Sequence, residues 1–185
     1  MTVRRPVLTT LLVFAATGAM AGTPPPEPAE YRTADYRAPV PATVNGRPAL
    51  TTEQAAALWR QGTAVFIDTL PQPPRPEGLS EGTIWHPMPR NDIPGSIWLP
   101  DTGYGELPAF MADYFEHNLQ EAIGGDKNRP LVFYCLANCW MSWNAAKRAA
   151  ALGYTQADWY ADGTDGWARR DLPLERRAPV PRPGE

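Results

Sequence analysis

The sequence predicts a single α/β domain with an open parallel sheet and helices on both faces. Between about residues 49 and 175, short apolar segments of strand length alternate with longer segments of helical periodicity. The short segments are continuously apolar, which is typical of strands buried on both faces. A chain of 185 residues with two Pro-rich ends also has the size of one domain. Alternating strands and helices imply right-handed crossovers between parallel strands.

The first predicted elements are a helix and a buried strand. Thr51 and Gln54 have the spacing of a capping box, so a helix begins there and ends at Gly62. The apolar segment AVFID at 64–68 is then predicted to be a strand. Residues 71–90 contain too many prolines for either kind of element, and we predict a long insertion loop there.

The second half of the domain continues the alternation. An apolar stripe predicts a helix over about 107–123, which the glycines that follow it end. The segment LVFY at 131–134 is predicted to be a strand, and WNAAKRAAAL at 143–152 a helix that ends at Gly153. The segment ADWY at 157–160 is predicted to be a further short strand.

The two ends have a different composition. Residues 1–21 combine two arginines, a short apolar segment and an Ala-x-Ala site, which is typical of a cleaved secretory signal peptide. We therefore expect a periplasmic protein with no membrane insertion after cleavage. The Pro-rich segments 22–48 and 176–185 are predicted to be extended or disordered. The net charge of −3 becomes more negative without the signal peptide, which argues against nucleic acid as a partner.

The only two cysteines lie in the segment YCLANCWMSWNAAK, which begins at Tyr134. An oxidising compartment favours a disulfide between Cys135 and Cys139. Cys135 ends a predicted strand, and a helix begins a few residues later. Sites in parallel sheets form at the carboxyl ends of strands, and a helix N-terminus there lowers the pKa of a thiol. The segment is therefore the candidate active loop.

The order of these segments resembles a rhodanese domain over about residues 50–175. The resemblance rests on Asp68 after a strand, the IPGS turn at 93–96, Cys135 at a strand end, and the stretch DGTDGW at 162–167. It implies that Cys135 is the nucleophile and can carry a persulfide. It also implies that the loop Leu136, Ala137, Asn138, Trp140 and Met141 binds the substrate, with Asp68 beside it.

The motif Cys135-x-x-x-Cys139-Trp140 resembles a narrower group of exported rhodanese-like proteins that accompany PQQ-dependent (quinoprotein) alcohol oxidation. This resemblance implies a redox or cofactor-linked role but supplies no mechanism. Our own hypothesis from the residues is a redox-active thiol pair in which Cys135 attacks and Cys139 resolves. The partner would be a periplasmic redox protein, such as a quinoprotein dehydrogenase or its cytochrome. It implies no cofactor in this chain, only a functional link to PQQ in a partner.

The loop departs from the sulfurtransferases in one respect that bears on its chemistry. Residues 136–144 carry no charge, although sulfurtransferase loops usually have an Arg or Lys that holds an anionic donor. Met141 stands where the Cys-x5-Arg motif of related phosphatases needs an arginine, so a phosphatase is set aside. We expect poor turnover of thiosulfate.

Alternatives to the redox function remain open. The two cysteines can form a structural disulfide in a binding module without catalysis. They can bind copper(I), for which His86 is the better of the two histidines as a further ligand and His117 is expected at the surface. Sulfur transfer through a Cys135 persulfide is the third alternative. We expect Trp140 to cover the sulfurs or to present a flat surface to a partner, and Cys135 to have the lower thiol pKa.

Overall fold

A computed structural model describes residues 23–73, 76–84 and 89–182. The predicted signal peptide and the copper candidate His86 both lie outside these residues. In the described part of the chain, no helix combines the length and the apolar character needed to cross a membrane.

The predicted parallel sheet is present, and it has four strands. These are β3 (Val65–Asp68), β5 (Ile97–Trp98), β6 (Leu131–Tyr134) and β7 (Ala157–Trp159). Their order is β5-β3-β6-β7, and all three pairings are parallel. The strand β6 is central and entirely buried, as its continuous apolar sequence predicts.

Four helices cover the two faces of this sheet, which confirms the predicted fold class. They are α1 (Thr52–Gln61), α2 (Ala109–Ile123), α3 (Trp140–Ala151) and α4 (Gly163–Ala168). Leu131 and Phe133 of β6 pack on the side of α2 and α3, whereas Val132 and Tyr134 pack on the side of α1 and α4. This alternation is the period of two that a strand requires.

The helix ends follow the sequence signals in most cases. The capping box of Thr51 and Gln54 is formed, and Gly62 ends α1 in the left-handed conformation. The helix α2 ends in the same way at Gly124. The helix α3 begins at Trp140, three residues earlier than predicted, so that Cys139 is its N-cap residue. This shift matters for the chemistry of the loop.

Short strands outside the main sheet were missed by the sequence analysis. They form two antiparallel pairs, β1 (Thr43–Val44) with β2 (Arg47–Pro48), and β4 (Arg90–Asp92) with β8 (Glu175–Arg177). The insertion loop, which was predicted to end at residue 90, therefore ends at residue 89. The tail that was predicted from residue 176 begins inside β8. Because β4 and β8 consist only of polar and charged residues, they lack the apolar pattern on which strand prediction depends.

Both edges of the main sheet are covered by these flanking segments. The N–H of Leu50 donates to the carbonyl of Trp159 on β7 at 2.7 Å, and the N–H of Val180 donates to the carbonyl of Trp98 on β5 at 2.9 Å. An open edge strand would otherwise offer unpaired backbone groups to another chain.

Candidate active site

The active loop connects the carboxyl end of β6 to the N-terminus of α3. Cys135 follows the last residue of β6, and Cys139 directly precedes the first residue of α3. The two are joined by a disulfide, with their Cα atoms 6.2 Å apart. This distance lies within the range that a disulfide requires. The predicted bond between the two cysteines is therefore present.

The disulfide is buried inside the domain. Cys135 is 0% exposed and Cys139 is 1% exposed, and they form an apolar cluster with the buried Met141. Tyr36, Leu70 and Leu136 pack against this cluster. A macromolecular partner therefore reaches the sulfurs only if one of these covering groups moves.

Trp140 does not present an open surface. It is 4% exposed, and the guanidinium of Arg32 lies 5.2 Å from the centroid of its ring. The ring of Trp140 also meets the ring of Trp143 edge to face at 5.3 Å. Its indole nitrogen is buried and has no hydrogen-bond partner in the described part of the chain.

The carbonyl of Cys135 is held from the opposite side of the loop. It accepts hydrogen bonds from Nη2 of Arg90 at 3.1 Å and from the N–H of Thr164 at 3.0 Å. Leu136 lies opposite Gly163 in an isolated antiparallel bridge. A Cβ on Gly163 would approach the Cys135 carbonyl oxygen to 2.3 Å, so only glycine allows this close contact.

Two N–H groups of the loop are already occupied by the protein itself. The N–H of Ala137 donates to Oδ2 of Asp165 at 3.0 Å, and the N–H of Trp140 donates to the carbonyl of Tyr36 at 2.9 Å. Asn138, between them, has a positive φ of 54°, which asparagine tolerates better than most residues. Such a loop offers fewer donors to an anion than the rhodanese resemblance implies.

Behind the loop, Asp68 and Asp92 flank the guanidinium of Arg90. The Nε of Arg90 donates to Oδ2 of Asp68, and to Oδ1 of Asp92 at 2.7 Å. The Oδ1 of Asp68 accepts from the N–H of Leu70 at 2.8 Å. Both carboxylates are fully buried, and the Arg90 side chain is 10% exposed. Asp68 therefore lies behind the active loop and anchors the arginine that bonds to Cys135.

The two carboxylates share one cation, which affects their ionisation. Burial first, and then the negative charge of Asp68, raise the pKa of Asp92 to about 8. Burial also raises the pKa of the neighbouring Tyr134 well above its ordinary value, and its hydroxyl donates to Ser96 Oγ at 2.8 Å. The Oδ2 of Asp92 is buried without a hydrogen-bond partner among the described residues. These features favour the protonated form of Asp92.

Sequence reasoning missed three contributors to this site. Arg90 lay at the end of a Pro-rich segment, Asp165 was given no role within the stretch at 162–167, and Tyr36 belonged to a segment expected to be extended or disordered. A usable signal existed only for Arg90, because RND directly precedes the IPGS turn on which the resemblance rests. The contacts of Asp165 and Tyr36 are with backbone groups, which leave no pattern in the sequence.

The structure gives no support to a metal site among the residues that it describes. No group of three or more His, Cys, Asp or Glu side chains could hold a metal ion there. His117 lies on the surface of α2 beside Glu121, as expected.

The match to one protein family agrees with this fold. The model of the rhodanese-like domain family matches residues 51–170. No curated protein matches the chain. Among solved structures, the human single-domain sulfurtransferase is similar, with 24% identity and a TM-score of 0.41 over 68% of this chain and 98% of that one. A thiosulfate sulfurtransferase from Pseudomonas aeruginosa shares 18% identity, with a TM-score of 0.43 over 71% of this chain and 21% of that one.

A variant of EanB in complex with hercynine is also similar, with 21% identity and a TM-score of 0.49 over 78% of this chain and 34% of that one. The family match spans more than half of the chain, from the N-cap of α1 to the residues after α4. This span contains the sheet β5-β3-β6-β7, the helices on both of its faces, and Cys135 at the end of the central strand. The chain belongs to the rhodanese-like domain family.

Proposed function

We propose that the protein is an exported thiol–disulfide redox protein whose reactive groups are Cys135 and Cys139. One observation carries the proposal: the two cysteines are bonded to each other at the end of the central strand, where the family places its nucleophile. A closed loop of so few residues stabilises the fold by only about 2 kcal/mol or less. A purely structural role is therefore a weak explanation for a bond at this position.

The chemistry is an exchange of two electrons and two protons. In the dithiol form, the Cys135 thiolate attacks a partner disulfide, forms a mixed disulfide and releases one partner thiolate. The Cys139 thiolate then attacks the Cys135 sulfur, which restores the internal disulfide and releases the second partner thiolate. The partner leaves as a dithiol, and the reverse sequence reduces this protein. Every group in the exchange comes from the two proteins.

The N-terminus of α3 supports the resolving role of Cys139. Cys139 is the N-cap residue, so it lies at the positive end of the α3 helix dipole, which stabilises a thiolate. A thiol with a lower pKa leaves faster from a disulfide. Attack on the Cys135 sulfur therefore expels the better leaving group.

The physiological setting that we propose is the periplasm, in support of PQQ-dependent alcohol oxidation. The signal-like segment at 1–21 and the CxxxCW motif support this setting. The partner would be a quinoprotein dehydrogenase or its cytochrome. The test is genetic: deletion of the gene should lower PQQ-dependent alcohol oxidation, and a Cys139→Ser copy should fail to restore it. Full restoration by that variant would contradict the redox role.

The redox chemistry itself can be tested with the purified protein. Equilibration with glutathione buffers, followed by alkylation and mass spectrometry, should reveal one reversible two-electron couple between Cys135 and Cys139. With glutathione disulfide, Cys139→Ser should accumulate a mixed disulfide on Cys135 that the wild type resolves. If neither glutathione nor dithiothreitol reduces the disulfide in the folded protein, the result would favour a structural role over a redox role.

Sulfur transfer through Cys135 is a second candidate, because the chain belongs to the rhodanese-like family. The occupied N–H groups of Ala137 and Trp140 argue against it. We expect thiosulfate-to-cyanide turnover of the reduced protein to fall at least about a hundredfold below that of a good rhodanese, because removing one or two oxyanion donors has effects of this size. Comparable turnover would show that the remaining donors suffice.

A further inference from the structure

A segment at the N-terminal end of the described chain lies across the active loop. We call residues 31–36 the strap. The carboxamide of Asn144, a buried residue of α3, accepts from the N–H of Arg32 at 2.9 Å and donates to the carbonyl of the same residue at 2.8 Å. It binds both backbone groups of one residue. Recognition of this kind depends on the main chain of the bound residue and not on the side chain it carries.

The other end of the strap covers the disulfide. The carbonyl of Tyr36 accepts from the N–H of Trp140, and its ring packs against the cluster that contains Cys135 and Cys139. Tyr36 is also fixed from the side, because its hydroxyl accepts from the N–H of Gly105 at 3.1 Å. The residue four positions after the one held by Asn144 therefore packs against the cluster that contains the two cysteines.

The surface beneath the strap is shaped for a polypeptide. A Cβ on Gly105 would approach the Arg32 carbonyl oxygen to 2.4 Å, so the glycine leaves room for the main chain. A cavity of about 420 Å³ is lined by Trp140 and, on its other sides, by residues of the N-terminal segment between Pro25 and Asp35. The unpaired indole N–H of Trp140 is a donor that the strap leaves unused.

We propose that the strap occupies, within the same chain, a groove that receives a segment of the redox partner with the same bent main chain, in which Asp35 has a positive φ of 46°. The partner segment carries its reacting cysteine four residues after the residue that Asn144 binds, at the place of Tyr36. This inference rests on the proposed function and specifies how the partner reaches a buried disulfide. The segment displaces the strap, makes the same main-chain hydrogen bonds, and brings its thiol onto the Cys135 sulfur.

The first test compares two arginines of the same region in the mature chain. Arg32→Ala removes the stacking on Trp140, whereas Arg37→Ala changes an exposed residue just beyond the strap. We expect dithiothreitol to reduce the disulfide about three to ten times faster in Arg32→Ala, the effect of losing one stacked cation. Arg37→Ala should react like the wild type. Thermal unfolding of each variant separates strap release from general loss of structure.

The second test supplies the partner segment as a synthetic peptide. The probe is residues 29–39 with the Tyr36→Cys change, and its control has the same composition and cysteine in scrambled order. The matched peptide should reduce the disulfide of the mature chain at least about tenfold faster than the control, through a mixed disulfide on Cys135. Equal rates for the two peptides, or equal dithiothreitol rates for both arginine variants, would overturn the inference.

A different occupant would give a different result. If Arg32→Ala forms dimers in sedimentation, the groove receives the strap of a second copy, and a partner segment is the wrong assignment. Reversible reduction of the disulfide without any peptide preference would refute only this inference. A disulfide that cannot be reduced in the folded chain would refute the proposed function as well.

Discussion

The active loop lies between two polar regions that are built in opposite ways. In front of it, the strap is held by neutral main-chain hydrogen bonds and by the stacking of Arg32, whose side chain is 35% exposed. Behind it, the Asp68–Arg90–Asp92 cluster consists of charges with almost no contact with solvent. Each neutral hydrogen bond contributes only about 0.5–1.5 kcal/mol, whereas breaking a buried ion pair costs about 3–5 kcal/mol.

This difference indicates a division of roles. The front contacts can be exchanged for equivalent contacts with another polypeptide, because water or a partner can replace them. The rear contacts cannot be exchanged, because an uncompensated charge would remain buried. We therefore expect access to the disulfide to depend on the strap, whereas Arg90 holds the carbonyl of Cys135 in place.

Removing the buried cation should have the largest effect. Arg90→Ala leaves two carboxylates without their shared partner and removes a hydrogen bond to the Cys135 carbonyl. We expect the free energy of unfolding to fall by about 3–5 kcal/mol. The exposed Arg176 on β8 is the matched control, and Arg176→Ala should change stability by less than about 0.5 kcal/mol. Urea unfolding measures both.

The contrast between the strap and the Asp68–Arg90–Asp92 cluster is contradicted if Arg90→Ala lowers the free energy of unfolding by no more than Arg32→Ala does. Arg90→Lys sharpens the test, because it keeps the charge and loses the planar fork. If the free energy of unfolding of Arg90→Lys lies between those of the wild type and Arg90→Ala, both charge and geometry contribute. If it equals that of Arg90→Ala, the whole effect comes from the hydrogen-bond geometry.

The same contrast explains what the sequence could predict. The central strands and α1 were predictable, because continuous apolar segments and a capping box are local signals. Cys135 was placed correctly at the end of β6 for the same reason. The cluster was not predictable, since Asp68 and Arg90 meet only after a long Pro-rich insertion has folded back. Asn144 gave no signal either, because its carboxamide binds main-chain groups of the strap.

Asp92 should make stability depend on pH. Its pKa is raised to about 8 in the folded protein, so folding favours the protonated form. This stabilisation is complete below the unfolded pKa near 4 and is lost as the pH rises to about 8. Between pH 6 and pH 8 the loss is about 2 kcal/mol for a shift of this size. Asp92→Asn, which mimics the protonated acid, should remove that slope.

The measurement is urea unfolding of the oxidised protein at several pH values from 5 to 9, with Asp113→Asn as the control at an exposed position of α2. The control should retain the wild-type slope. If the slope of Asp92→Asn also equals that of the wild type, the shared proton lies elsewhere, and the rear cluster does not carry the pH dependence.

The smallest effect concerns the order in which the two thiols ionise. The sequence led us to expect the lower pKa at Cys135, but the structure changes the basis of that expectation. Cys139 is the N-cap residue of α3, whereas the N–H of Ala137, two residues after Cys135, donates to the carboxylate of Asp165. A helix N-terminus stabilises an anion by about 0.3–2 kcal/mol, and nearby carboxylates oppose one. We therefore expect Cys139 to have the lower pKa.

This order can be determined by iodoacetamide labelling of the reduced protein between pH 5 and 9, analysed peptide by peptide. Cys139 should be alkylated at lower pH than Cys135, and Asp165→Asn should bring the two curves closer together by lowering the pKa of Cys135. Labelling rates also depend on access, so Arg32→Ala is needed to separate the two causes. Loosening the strap should raise both rates while leaving both midpoints unchanged. If Cys135 ionises first even with the strap loosened, the loop N–H groups outweigh the helix terminus, and Cys139 is not the better leaving group in disulfide exchange.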